Sequence, residues 1–385
     1  RPRLPASASY VAFRTLCTPM TEIAGILPAH RIRELFDTGA IASTRPLDAD
    51  QIQPASLDLR LGPVAYRLRA SFLPGGGSTV EDKLDYLALH ELDLSAGAVL
   101  ETGGVYLVPV LESLALPDAV SASANPKSST GRIDVFTRLI TDHGVAFDQI
   151  AAGYHGRLWV EISPRTFPIK VRSGSRLSQV RFRRGDARLD DAALASLHAR
   201  FPLVDREPRF EHGLTLSIDL AGAGEGALIG YRARRHTSVL DVDVKAAQEI
   251  DDFWEPIKAR GRTSLILDPD EFYILVSREA VQVPPETAAE MVAIDPLVGE
   301  FRVHYAGFCD PGVGHAPAGG KGARAVLEVR SHDVPFILDH GQTIGRLVYE
   351  RMVEVPATLY GQGMGSNYQA QGLKLSKHFR PQSAS

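Results

Sequence analysis

Cysteine is scarce. Cys17 and Cys309 are the only two in 385 residues, and their surroundings are dissimilar. Such a pair builds neither a disulfide framework nor a zinc site, and a cytoplasmic location is the default expectation. Net charge is low as well, −4 at pH 7, which leaves no electrostatic footprint for duplex nucleic acid. Any polyanion must therefore be held by a local site. The longest apolar runs, such as residues 105–111, are far too short to cross a bilayer, so no membrane span is expected. There is no P-loop, no G-x-S-x-G elbow and no Rossmann fingerprint. No H-x-E is accompanied by P-C-x-x-C, which excludes the zinc-dependent nucleobase deaminase mechanism.

What is present is a segment that occurs twice. Glu112-Ser-Leu-Ala-Leu-Pro117 recurs as Glu279-Ala-Val-Gln-Val-Pro284, Leu158-Trp-Val-Glu161 as Ala325-Val-Leu-Glu328, and Arg172-Ser-Gly174 as Asp339-His-Gly341, always at the same offset. The copies differ in what they carry. Only the first has Lys127-Ser-Ser-Thr-Gly-Arg132, where the second has the inert Asp295-Pro-Leu-Val-Gly299, and only the second has Phe308-Cys-Asp-Pro-Gly312. A duplicated fold with its polar groups divided between the copies points to a site assembled where copies or subunits meet.

Short alternating stretches, such as Ser56-Leu-Asp-Leu-Arg-Leu-Gly62, punctuated by Gly and Pro at roughly ten-residue spacing, predict a mainly β protein of barrels or sandwiches with a few short helices. One helix is predicted from Pro28, with Ile32, Leu35 and Phe36 on one face, to Gly39; another covers residues 190–199. Residues 1–20 read as a leader or disordered arm, without the hydrophobic core of a signal peptide. The first copy is expected over residues 21–204, the second over 205–360, and a flexible C-terminal segment over 361–385.

Lys127, Ser128, Ser129, Thr130, Gly131 and Arg132 combine two cations, hydroxyls and a glycine that permits close backbone approach, a composition suited to an anion. It also suits an ordinary surface turn, but the second copy does without these residues, so the fold does not need them. Glu161 and Glu328 occupy matching strand positions among apolar neighbours, where partial desolvation would raise their pKa toward the general acid/base range. Simple alternation favours the alternative, a residue facing solvent. Asp310-Pro-Gly312 is most simply a β-turn.

Together these segments resemble the dCTP deaminase branch of the dUTPase-like β-barrel (β-clip) superfamily, in a long form with two tandem barrels per chain. The resemblance rests on Gln51-Ile-Gln-Pro-Ala-Ser-Leu-Asp-Leu-Arg-Leu-Gly62, on residues 111–117 leading into 127–132, on Val326-Leu327-Glu328, on Ala306 with Asp310-Pro-Gly312, and on Tyr368-Gln-Ala-Gln371-Gly. It implies hydrolytic deamination of dCTP to dUTP and ammonia in pyrimidine deoxynucleotide supply. Glu328 or Glu161 would activate water, with Ser128 and Arg132 beside it and residues 127–132 on the phosphates. Ala306, Asp310, Val326 and Leu327 would meet the nucleoside, while Tyr360, Tyr368, Gln371 and Lys374 would serve as a lid. Mg²⁺ would arrive with the triphosphate, without a protein metal site and without zinc. The resemblance also implies dTTP or dUTP as further ligands and a homo-oligomer, a trimer being favoured.

The chain departs from the pattern at Asn367, where a lysine is usual, and Lys374 is the substitute the sequence offers. Two other functions stay open: a dUTP diphosphatase or bifunctional enzyme, and a non-catalytic nucleotide-binding regulator. The composite site is expected to join residues 127–132 of one barrel to Asp310 and Glu328 of another on a neighbouring chain. The alternative has copy one pairing with itself around a threefold axis through Glu161.

Overall fold

The computed structural model describes residues 23–381 apart from 262, 294–300, 305–306, 332, 363–368 and 370. Ala306, Tyr368 and the second copy's Asp295-Pro-Leu-Val-Gly299 thus lie outside the described residues.

The repeat seen in the sequence is a repeat of strand pairing. In the first barrel Val105–Ala115 pairs antiparallel with His155–Pro164, which also pairs with Val135–Thr141. In the second, Phe272–Val281 pairs with Ala323–Ser331, which also pairs with Phe301–His304. Register coincides: Glu161 lies across from Leu107 and Arg138, Glu328 across from Ile274 and His304. A second sheet closes each barrel. In the first it runs through Ser178–Arg184, Val120–Pro126 and Leu57–Leu59, and in the second through Thr343–Arg351, Thr287–Ala293 and Leu214–Ser217. The repeated glutamate before each Leu/Val-x-Leu/Val-Pro run has one job in both copies. Glu112 accepts from the Arg60 backbone N–H at 3.0 Å, and Glu279 accepts from that of Ser217 at 2.8 Å. Each carboxylate pins the opening strand of its barrel.

Pro28 caps the helix Ala29–Asp37, and its apolar face buries Ile32 and Leu35. Gly39 follows in the left-handed region (φ 77°), a backbone that favours glycine at a helix end. The helix Asp191–Arg200, begun by the Asp190 side chain accepting from the Ala193 N–H, buries Leu194 and Leu197 in the second barrel's core. The second barrel therefore begins before this helix, earlier than the boundary expected at residue 204. Among the described residues no helix is long and apolar enough to cross a membrane.

The two barrels are fused along an extensive seam. Phe167 of the first barrel packs edge-on against Phe253 and Trp254 of the second, each at 5.4 Å between centroids. Leu240–Asp241 joins the first barrel's Ile169–Val171 as a parallel strand. Arg172 pairs with Asp241 at 2.5 Å across the same junction, and Arg330 reaches Asp134. The C-terminal segment differs from expectation. Leu375, Ser376, His378 and Phe379 are buried, with Phe379 edge-on to Phe253 and Trp254. The composition suggested a flexible segment over 361–385; in its described part, a few apolar side chains seated between the barrels hold residues 375–379 in place.

Candidate active site

The motif of the first barrel follows directly from strand Val120–Pro126, whose edge turns at Lys127 into the single helical turn Ser128–Gly131. Thr130 is spent on the fold, its hydroxyl donating to the Leu177 carbonyl at 2.8 Å. Ser129 is buried, and its carbonyl accepts from the Ser376 hydroxyl at 2.8 Å. Lys127 and Ser128 are half-buried and stand open to a ligand. The Lys127 ammonium pairs with buried Asp58, which also has Arg176 at 3.6 Å. Lys374 and Lys377 stand near: burial, then the charges of Arg132 and Lys127 respectively, lowers their pKa values. Arg176 is held outward by Asp48 (2.5 Å) and Asp50 (2.9 Å), so Lys127, Lys374 and Lys377 converge above the buried Asp58, an arrangement matched to a polyanion.

Arg132 turns the other way. Only 3% exposed, it donates to the Lys374 carbonyl and to Gln371 Oε1, both at 3.0 Å. Its Nε lies 3.9 Å from Oε1 of Glu328 in the second barrel. Alternation along Ala323–Ser331 explains why. Leu327 and Val329 point into the second barrel's own core, while Val326 belongs to the core shared with the first barrel, so Glu328 faces the seam. Leu327 is therefore a core residue and not a lining one. At 6% exposure the Glu328 carboxyl is pushed up to about 8 by burial, opposed by Arg132.

The second barrel's hairpin reaches the same seam. Buried Asp310 meets Arg181 of the first barrel at 3.2 Å. That guanidinium also donates to the carbonyls of Ala289 (3.0 Å) and Cys309 (3.3 Å) and lies 4.1 Å from the Phe308 ring centroid. Burial raises the Asp310 pKa, against the pull of Arg181. Over the hairpin, the Tyr360 N–H donates to the Pro311 carbonyl at 2.8 Å. Gln369 Nε2 donates to the carbonyls of Gly312 (3.0 Å) and Ala318 (3.1 Å). Gln371 links the strand Ala323–Ser331 to the motif: its Oε1 takes Arg132, and its Nε2 donates to the Arg324 carbonyl at 3.3 Å. The composite arrangement expected between neighbouring chains is formed here within one chain, because the fused barrels place copy one's motif against copy two's strand and hairpin.

The N-terminal domain model of 2'-deoxycytidine 5'-triphosphate deaminase matches residues 23–186, and the C-terminal domain model matches residues 190–379. The chain belongs to the dCTP deaminase family. A crystal structure of 2'-deoxycytidine 5'-triphosphate deaminase from Agrobacterium tumefaciens is similar over 86% of this chain and 99% of that one, at 66% identity and a TM-score of 0.83. More distant relatives match a smaller part. A dCTP deaminase of Haloarcula marismortui is 32% identical over 141 residues, 36% of this chain and 69% of that protein. A dUMP-forming dCTP deaminase of Sulfurihydrogenibium is 29% identical over 163 residues, 41% of this chain and 82% of that protein. The dUTPase-like two-barrel reading of the sequence agrees with these matches to the dCTP deaminase domains.

Glu161, at the matching position in the first copy, has different company. Arg138 holds its Oε1 through Nε (3.0 Å) and Nη2 (2.6 Å) and also bonds Ser71 at 2.7 Å. The Arg138 guanidinium lies 3.8 Å from the Phe147 ring centroid. Above it, an unpredicted helix Val80–Leu87, begun by a Thr79–Asp82 capping box, packs Val80 and Leu84 against Trp159 and Ile140. The structure thus gathers Lys127, Ser128, Arg132, Asp310, Glu328, Gln371 and Lys374 along one seam, and sets Glu161 apart. Asp58, Arg176 and Arg181 join the seam without having been singled out in the sequence. Asp58 stood inside a quoted motif, but its alternation gave it no special mark. Arg181 looked like any strand arginine.

Proposed function

We propose that the chain deaminates Mg²⁺-bound dCTP to dUTP and ammonia at this seam, with Glu328 as the proton-transfer group. The observation that carries the reading is Glu328 itself, a desolvated carboxyl from one barrel set against the cation-lined motif of the other. Lys127, Ser128, Lys374 and Lys377 would receive the magnesium triphosphate, the metal arriving as part of the substrate. Asp310, fixed by Arg181, would face the nucleoside. Burial favours the neutral Glu328 carboxyl and Arg132 favours the carboxylate, so one group serves as both acceptor and donor near neutral pH. The carboxylate takes a proton as water oxygen bonds to C4 of cytosine, and returns that proton to N3. The remaining hydroxyl proton passes to N4; the C4–N4 bond breaks, ammonia leaves and the C4 carbonyl forms. Arg132 and Ser128 would orient the attacking water.

Incubation with dCTP and Mg²⁺, followed by separation of products, tests the reading. dUTP with equimolar ammonia is the expected result. Several relatives are named as dUMP-forming, and dUMP with pyrophosphate would assign the bifunctional reaction here. Absence of turnover with retained nucleotide binding would assign a regulator. A homo-oligomer would join copies of an already composed site, and molar mass in solution measures it.

A further inference from the structure

We infer that a cleft of about 400 Å³ in the second barrel binds a phosphate-bearing anion at a place distinct from the substrate seam. Arg206, Arg278, Arg324 and His340 line it, against only two carboxylates, Asp205 and Asp219. Both carboxylates are committed. Asp219 takes Arg324 and accepts from the backbone N–H groups of Ala221 (3.1 Å) and Gly222 (3.0 Å). Asp205 accepts from the Ala280 N–H at 2.9 Å and touches Arg206 at 3.4 Å. Arg278 has no hydrogen-bond or ion-pair partner among the described residues and is half-buried. Nδ1 of His340 accepts from the Leu220 N–H at 3.1 Å, so its Nε2 carries the ring proton and is a donor. Asp219 and Asp205 offset Arg324 and Arg206, so Arg278 is the surplus cation of the cleft, and its guanidinium beside the imidazole N–H suits phosphate oxygens better than a metal ion.

Duplication supplies the control. Arg278 sits where the strand pairing is interrupted between Val276 and Ala280, a bulge that re-aims a side chain. The matching position of the first copy is Leu111, which is buried, and the counterpart of His340 is Ser173. One barrel folds with leucine and serine at these places, so the charge in the other is not required by the architecture. The volume falls in the range of small-molecule sites, and the inference does not depend on what reaction the seam performs.

Calorimetric titration of the full chain with inorganic tripolyphosphate tests it, because the seam and the cleft would each take one equivalent. The expected result is two equivalents for the wild type. Arg278→Ala should lose one of them, weakened tenfold or more, and Arg278→Lys should retain it in part. Lys127→Ala should weaken the other. Since Arg278 has no partner among the described residues to strand, the alanine variant should keep the wild-type melting temperature, and dCTP should still bind it at the seam. A single equivalent sensitive only to Lys127→Ala would overturn the inference, as would a second equivalent unchanged by Arg278→Ala.

Discussion

Arg181 of the first barrel meets Asp310 of the second at 3.2 Å, both side chains buried. A second carboxylate, Glu350, lies 3.7 Å from the same guanidinium. This contact ties the Asp310 hairpin of one copy to the central strand of the other, so it should matter to stability and, on the function proposed above, to turnover. Arg181→Met leaves buried Asp310 without its cation, a loss of about 3–5 kcal/mol for a buried pair broken from one side, while Glu350 keeps Arg183 at 3.3 Å. The variant is expected to melt at lower temperature and to lose kcat/KM for dCTP. Thermal unfolding and initial rates check it, and a wild-type value in both would remove Arg181 from the role assigned here.

Glu328→Gln should keep nucleotide binding and lose turnover by about 10²–10⁴-fold, the usual contribution of a general acid/base. The same variant carries a stability signature. Burial raises the Glu328 pKa to about 8 in the folded chain, above its ordinary value of 4.5. The neutral carboxyl's contribution is therefore complete below about pH 4.5, and it is lost as pH rises toward 8, by up to ~1.4 kcal/mol per pH unit. Glutamine escapes that loss. Glu328→Gln should become progressively more stable than the wild type as pH climbs, with the difference flattening above pH 8. Denaturant midpoints across that range provide the measurement, and a constant difference would contradict the burial-driven shift.

The same pKa sets a rate profile. If the carboxylate of the free enzyme accepts the proton from water, kcat/KM should rise with pH through about 8 and level off above it. The ascending limb should vanish in Glu328→Gln, whose residual activity has no such group.

Arg132 and Glu328 face each other within one chain at 3.9 Å. Mixing inactive Arg132→Ala chains with inactive Glu328→Gln chains should restore no activity, because each chain carries its own defect in its own site. Recovered turnover after mixing would show that the halves are exchanged between chains.

Truncation after Gln362 removes the glutamine that bonds Arg132 and also Leu375, Ser376, His378 and Phe379 from the seam. Burial of Leu375 and Phe379 is worth a few kcal/mol, on the order of 1.5–3 per large side chain. The truncated chain should lose turnover and also melt lower, by roughly 5–10 °C. Lost turnover with an unchanged melting curve would mark the segment as a flap only.

The repeat, the β class and most of the motif residues were legible in the sequence because they rest on local pattern. Alternation gave the strands, and the constant offset gave the second copy. What the pattern did not contain was which face of a strand meets the other barrel. Leu327 and Glu328 are neighbours in sequence, but one fills a barrel and the other faces the seam. Glu161 and Glu328 share a register, yet Arg138 occupies one and Arg132 approaches the other, a difference set by residues more than twenty positions away or in another domain. The helix Val80–Leu87 is short and follows Gly75-Gly-Gly-Ser78, so only the capping-box pair Thr79 and Asp82 marks it in the sequence.

The fused seam also alters how the catalytic halves meet as the protein is diluted. Two separate barrels would find each other at a rate and extent set by their concentration. Here the polypeptide and the packed aromatic junction of Phe167, Phe253, Trp254 and Phe379 hold them at a fixed local concentration. Specific activity should stay constant down to nanomolar enzyme, and a tight inhibitor should titrate one site per chain.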